Sequence, residues 1–486
     1  MIGEAKHKKR KAKKNVKHKK KLPKLTRRRR LKRPPGRRRG AGAVDLKAMT
    51  PAMVDRLFWR AGFGPSADDR TRWTGKPVAD AVAWLLDTPA GLGGSPGTRD
   101  GNPLNPSGDD TDLVLSWVDR MVRSTNPFVE RLTFFWHRHW ANSRQDVSPP
   151  QLLLRQNDLF RRYADLSANR GATFRDLAYE VTVDPAMLRY LTGESNVRGA
   201  PNENYARELM ELFGLGVTDL SGAPNYSEND VKQLAKALSG WQVDDSNPDS
   251  PRSYFTPSRW YNGPKSVFGK LGNYKDREAV DLVVGHGAHA AFFVTKLWGE
   301  FVSVPLDDGL RAQLVDTYVK SGLQVRPLIE RILTDPKLFS SIDEPDMVKP
   351  PIVYTVGAMR ALGAGVTDAA ASDRLDDMGQ LPYFPPTVAG WEGGLSWLNT
   401  NTALARFQFV SSLVGRMQFD DNKAESPSDA VTRAHAAVGA PWLAEGTRAA
   451  LKDYAMRAPS ATPTARRERQ LVLRTLILAG HDAQVM

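Results

Sequence analysis

The stretch FFWHRHWANS, residues 134–143, sets two imidazoles two positions apart, at His137 and His139. On an extended strand that spacing lets both rings grip one metal ion. On a helix, two residues turn through about 200°, so the rings face opposite sides and at most one enters any single site. Pro127 after Asn126, with Phe128, Leu132 and Phe135 at helical spacing, makes the segment helical. His139 then continues the buried stripe, and His137 lies with Glu130 and Phe134. Either ring can be a core histidine bonded to backbone or carboxylate, or a ligand or acid–base group.

A second chemistry-bearing segment is PNENYARELMELFGLG, residues 201–216. Asn202 is placed to cap a helix, and Glu203 at its first turn complements the helix dipole. Tyr205, Leu209, Leu212 and Phe213 read as the core stripe, while Asn204, Arg207, Glu208 and Glu211 share another face. Glu208 and Glu211, three apart, can converge on a metal or a proton, and Arg207 can reach Glu203 and Glu211 at four. The plain alternative is a solvated face laced with ion pairs. This face is expected to be partly buried and to meet His137 or His139.

Two further constellations are weaker. In PPTVAGWEGGLSWLNTNTALARFQF, residues 385–409, Trp391 and Trp397 can form a stacking platform for a sugar or peptide, or plug the loop into the core. His286 and His289, three apart at a helix start, can share a ligand. There is no GxGxxG, GxxxxGK[ST], HExxH or GxSxG, and no cysteine, which excludes thiolate metal sites and cysteine nucleophiles.

The elements that must position these groups read as helices at about 51–61, 77–87, 112–124, 127–141, 149–165, 173–182, 202–213, 228–238, 276–285, 288–301, 308–320, 325–334, 349–362, 402–417, 443–456 and 464–479. Ser227 and Asp230 form a capping box, and Gly240 ends that helix. Residues 88–111 carry no period. Aromatics alternate with turn residues over 241–275, which suits one or two short hairpins. The fold class is therefore all-α: a large multi-helix domain with a small β-hairpin excursion near 241–275. The organisation expected is a basic tail at 1–43, a helical domain at 50–418 and C-terminal helices at 419–486 packed on it.

Charge is distributed unevenly among the 486 residues. The first 39 hold 21 Lys or Arg and one acid, Glu4; the other 447 hold 48 basic and 53 acidic residues, a net of −5. Such a tail has too little apolar surface to fold, and its chemistry is attachment to nucleic acid or another polyanion by counterion release. It lacks the apolar core of a secretory signal, and no run reaches the ~18–20 apolar residues that span a bilayer, so the cytoplasm is the default expectation.

Taken together, RAGFGP (60–65), ERLTFFWHRHWANS (130–143), DPAML (184–188), PNENYARELMELFGLGV (201–217), YSENDVKQLAKALSGW (226–241), FVTKLWGEFV (293–302), VKPPIVYTVGAMRALG (348–363) and PPTVAGWEGGLSWLNT (385–400) resemble the bacterial family catalogued as domain of unknown function 1800. The resemblance covers about 50–418, and the closing LILAGHDAQVM resembles the family's last helix. It implies no established activity. It singles out His137, His139, Asn202, Glu203, Asn204, Arg207, Glu208, Glu211, Trp391 and Trp397, and it suggests as partner a protein of the uncharacterised family 1501, in an envelope or export pathway. Where relatives carry a His-Asp pair before a Gly-x-Lys, this chain has Trp260 and Tyr261 before Gly263–Lys265.

Three functions follow as expectations. One is a hydrolase-like activity, metal-assisted or not, using His137 or His139 with Glu208, Glu211, Arg207 and Asn204; the sequence specifies no cofactor. The second is a non-catalytic scaffold or assembly partner. The third is polyanion or nucleic-acid association through residues 1–39.

Overall fold

Five helix starts follow one local rule. Thr50, Asn126, Asp184, Ser426 and Thr462 each accept a backbone N–H from the first turn of a helix whose next residue is proline. The side chain satisfies an orphan donor, and the proline supplies a fixed φ where no N–H is needed. The computed structural model describes residues 44–486 except 248, 343 and 419–423. The expected unfolded tail, residues 1–43, lies outside the described residues.

Among the described residues twenty α-helices form. The first ten are α1 (Pro51–Ala61), α2 (Ala67–Trp73), α3 (Val78–Asp87), α4 (Asp110–Arg123), α5 (Pro127–His139), α6 (Pro150–Ala164), α7 (Phe174–Thr182), α8 (Pro185–Tyr190), α9 (Asn204–Glu208) and α10 (Glu228–Ala237). The rest are α11 (Asp276–Val284), α12 (Gly287–Phe301), α13 (Asp308–Lys320), α14 (Val325–Leu333), α15 (Pro351–Ala361), α16 (Ala370–Asp377), α17 (Thr400–Gly415), α18 (Pro427–Ala437), α19 (Glu445–Arg457) and α20 (Pro463–Ala479). The fold is all-α, as expected. The short helices α2, α8, α16 and α18 are additions to the sequence reading.

The β excursion is two antiparallel hairpins, β3 (Trp241–Asp244) with β4 (Arg252–Phe255) and β5 (Lys265–Val267) with β6 (Lys270–Gly272). A third, β1 (Thr98–Arg99) with β2 (Asn102–Pro103), sits inside the stretch read as aperiodic. Its turn is Asp100-Gly101, both at positive φ, which the right-handed strand twist favours. Gly240 is at φ +100, and a Cβ there would lie 3.1 Å from Trp260 Cβ, so the chain leaves α10 only through glycine.

Two apolar clusters make up the interior of the Val44–Met486 unit. Helix α5 serves both. Phe128, Leu132, Phe135 and Trp136 enter the first cluster, and Phe134 enters the second. Of its thirteen residues only Arg138 is not buried, and its buried charges are paired, Glu130 with Arg120 and Arg161, and Arg131 with Glu300. The C-terminal helix α20 packs on α17 and α18. No helix among the described residues is long and apolar enough to cross a membrane.

Two local readings need correction. The 202–213 helix begins at Asn204, not Asn202, although Asn202 Oδ1 still accepts the Asn204 N–H at 2.9 Å. After Glu208 it widens into a π-helix, Leu209–Gly214. That wider turn rotates each residue less about the axis. Met210 and Gly214 therefore join the buried side, and Leu212 moves partly out.

Candidate functional site

Opposite faces of α5 hold His137 and His139, as the helical spacing requires. His137 sits among the rings of Trp117, Phe134, Tyr383 and Trp391, at centroid distances of 5.3–6.1 Å, and its Nε2 accepts the Tyr383 N–H at 3.1 Å. The neutral ring thus carries its proton on Nδ1. Burial alone pulls its pKa down to about 3. Tyr383 presents that N–H from a left-handed backbone at φ +67, a conformation that costs a non-glycine residue roughly 1–3 kcal/mol.

His139 is the other tautomer. Its Nε2–H donates to the Phe213 carbonyl at 3.0 Å. Burial holds its pKa well below the usual histidine value, and nearby Lys296 adds to that. Phe213 lies in the π-helix that continues α9, and the neighbouring carbonyls are served in the same way. Lys296 Nζ donates to Leu212 O at 3.1 Å, and His289 Nδ1–H to Gly214 O at 2.9 Å. Asn225 Nδ2 donates to Leu215 O and Gly216 O, both at 3.0 Å. A helix end leaves such carbonyls without intrahelical partners. Here two imidazoles, an ammonium and an amide close it. His289 completes its own bonding by accepting from Tyr318 O–H at 3.1 Å. His286 instead caps α12 through Ala288 N–H, so His286 and His289 serve separate places.

The polar face of the 202–213 helix was expected to meet an α5 histidine; its side chains bond elsewhere, and His139 meets the main chain of the π-turn instead. Neither Glu208 nor Glu211 hydrogen-bonds His137 or His139. Arg207 pairs with Glu203 at 3.2 Å and with Glu228 at 2.8 Å, not with Glu211. The π-turn displaces Glu211, which accepts from Tyr226 O–H at 3.2 Å. Glu208 is half-buried, and burial followed by repulsion from Glu211 raises its pKa. Asn204, exposed, donates to Thr192 Oγ1 at 3.0 Å. Among the described residues no three His, Asp or Glu side chains converge as a metal-ligand group.

Both tryptophans of the 385–400 loop are buried in the second cluster, and Trp391 stacks on Phe134 at 5.9 Å. Gly390 of the same loop sits where a Cβ would lie 3.0 Å from the Arg138 carbonyl, so the loop abuts the end of α5. Beside it opens a cleft of about 610 Å³. Its walls come from α5 (Arg131, Arg138), the end of α12 (Trp298, Glu300) and the loop (Leu395, Trp397). Glu300 bridges the two arginines, at 2.8 Å to Arg131 and 2.7 Å to Arg138. Glu300 and Arg131 are buried, while Leu395 on the rim is 80% exposed.

Sequence reasoning missed Arg131, Arg138 and Glu300. A signal was present: Glu300 is the one acid in the apolar run FFVTKLWGEFV, and Arg138 lies between the two histidines. A carboxylate in a largely apolar run must find a partner. At Trp260 and Tyr261 the two rings hold the Lys265 ammonium, with centroids 4.4 and 5.5 Å from Nζ. Burial lowers that lysine to about 8.

A family model described as a protein of unknown function, DUF1800, matches residues 56–485. No curated protein and no solved structure matches the chain.

Proposed function

The chain belongs to the DUF1800 family of proteins of unknown function, and from that premise we propose that it works by binding, as a non-catalytic scaffold or assembly partner. The observation that supports this reading is the 610 Å³ cleft. Four of the segments that carry the family resemblance meet there, and its charged groups are all engaged: Glu300 with Arg131 and Arg138, Asp346 with Arg60, and Arg311 with Asp308. The cleft offers apolar walls at Trp298 and Trp397 and an exposed leucine at its lip. A partner would insert an apolar side chain between Trp397 and Leu395 and set a polar rim against Arg138. The partner proposed is a protein of family 1501, and the basic segment 1–39 adds a separate, salt-sensitive attachment to polyanions.

Purified full-length protein mixed with a family 1501 protein should co-elute on gel filtration, and Leu395→Asp should abolish co-elution without changing the melting temperature. Deleting residues 1–43 should leave co-elution intact and remove retention on heparin at low salt. Co-elution unaffected by Leu395→Asp would refute the cleft as the docking site.

One observation favours the hydrolytic alternative. Glu208 is half-buried with a raised pKa, beside a second carboxylate, as a general acid would be. Under that reading Glu208→Gln abolishes hydrolysis of a panel of ester and phosphoester substrates and leaves stability intact or improved.

A further inference from the structure

A second cavity of about 680 Å³ opens between α1, α15 and the 93–95 and 436–441 segments. Its walls are mostly apolar and small, with Phe63, Val122, Ala358 and Met359 among them. Its charged lining is one-sided: Arg70, Arg123, Lys349 and Arg360, with no acid among the described residues that line it. Arg70 and Arg123 are neutralised from outside the cavity, by Asp55 at 2.6 Å and Asp119 at 2.8 Å. Lys349 and Arg360 are not paired with any carboxylate among the described residues. Arg360 donates to the main-chain carbonyls of Met121, Val122 and Ser124 at 2.7–3.3 Å. Lys349, 4% exposed, donates to Ala483 O at 2.9 Å and lies 3.7 Å from the centroid of the Trp59 ring, itself on the cavity wall.

A buried ammonium wants three acceptors or an opposite charge, and here it has one carbonyl, one ring face and the attraction of Asp55, a carboxylate bonded to Arg70 rather than to the lysine. Burial, helped by repulsion from Arg406, accordingly pulls Lys349 down to about 7. An anion entering the cavity would supply the missing charge. An apolar pocket of this size with a few convergent polar groups has the form of a small-molecule site.

We propose that this cavity binds an amphipathic carboxylate, its apolar body along Phe63 and Met359 and its carboxylate on Lys349. A carboxylate fits better than a phosphate dianion, because Arg360 turns its donors to the main-chain carbonyls of Met121, Val122 and Ser124, which leaves Lys349 as the cation with donors to spare for a ligand. The site is separate from the proposed docking cleft and stands or falls independently of it.

The test is calorimetric titration of the full-length protein with decanoate and with decanol, at salt high enough to screen the basic tail. Decanoate should bind with one-to-one stoichiometry and at least tenfold more tightly than decanol. Lys349→Met keeps the apolar stem and removes the charge, and it should cost decanoate at least tenfold while leaving decanol unchanged. Should Lys349→Met fail to fold, Ala364→Phe fills the cavity from its rim and should abolish binding of both. Equal affinity for the acid and the alcohol, unchanged decanoate binding in Lys349→Met, binding that persists in Ala364→Phe, or no binding at all would each overturn the proposal.

Discussion

His137 and His139 show how one helix can hold two imidazoles in opposite protonation patterns. The first accepts a backbone N–H at Nε2; the second donates from Nε2 to a carbonyl. Both are neutral, because the aromatic walls around them exclude the water that would solvate an imidazolium. His289, drawn down to about 4 by burial, is the third of this kind. For each, the folded pKa lies below the unfolded value near 6.5, so the unfolded chain takes up a proton that the folded chain refuses. Stability is therefore present above pH 6.5 and is lost as pH falls toward the folded pKa. Asp184 opposes this by one proton, since burial raises its carboxyl to about 7. The clean observable is a difference between variants. Replacing His289 by glutamine removes one proton from the slope, about 1.4 kcal/mol per pH unit. Urea unfolding at pH 6 and pH 5 should show the parent losing that much more stability over the interval than His289→Gln. Parallel losses would mean that His289 is charged in the folded state.

At the scale of elements, the long helices were legible because their caps and periods are local. Ser227 with Asp230 and Asn126 with Pro127 operate as their types predict. The Asp100-Gly101 hairpin was passed over although its turn dipeptide announces it, because two-residue strands offer no alternation to read. The site was half legible. The expected contact was between the polar face of the 202–213 helix and α5, but side-chain periodicity says nothing of backbone carbonyls, and those are what His139 and His289 meet. Nor could it pair Arg131 with Glu300, separated by 169 positions in the chain. The π-turn was illegible for a related reason: it is imposed by packing at its end. A Cβ on Gly214 would lie 2.7 Å from Leu209 O and 2.8 Å from Val283 Cγ1, so the wide turn closes only without a side chain. Gly214→Ala should therefore destabilise the protein by about 1–3 kcal/mol, as overpacking of a full interior does. Gly446→Ala in α19, where a Cβ meets nothing within 4 Å, should leave stability unchanged or raise it by about 0.4–1 kcal/mol. Chemical denaturation of the two variants side by side checks the contrast; equal effects would show that the π-turn tolerates a side chain.

Across the whole molecule, the last residues lock together parts of the chain that lie far apart in sequence. Val485 bridges Val348, and Met486 exchanges two main-chain bonds with Met347, at 2.8 and 3.4 Å. Three buried cations from different elements end on this strap. Arg60 of α1 donates to Met486 O at 2.8 Å, Lys349 to Ala483 O at 2.9 Å, and Arg406 of α17 to Gln484 Oε1 at 2.9 Å. Burial lowers all three pKa values, Arg60 to about 9, Lys349 to about 7 and Arg406 to about 10, so each depends on the acceptors it has. Arg60 retains Phe301 O and Asp346 if the strap is lost, and Arg406 retains Lys349 O, whereas Lys349 is left with the Trp59 face alone. An uncompensated buried charge costs about 3–5 kcal/mol. Deleting residues 483–486 should therefore lower stability by at least about 3 kcal/mol. Adding Lys349→Met to the deletion should recover part of that loss, because the orphaned ammonium is gone. Urea midpoints of the parent, the deletion and the combined variant check this. A deletion midpoint equal to the parent's would mean that the strap adds nothing to stability, and a combined variant less stable than the deletion alone would mean that it holds the fold by packing rather than by satisfying these cations.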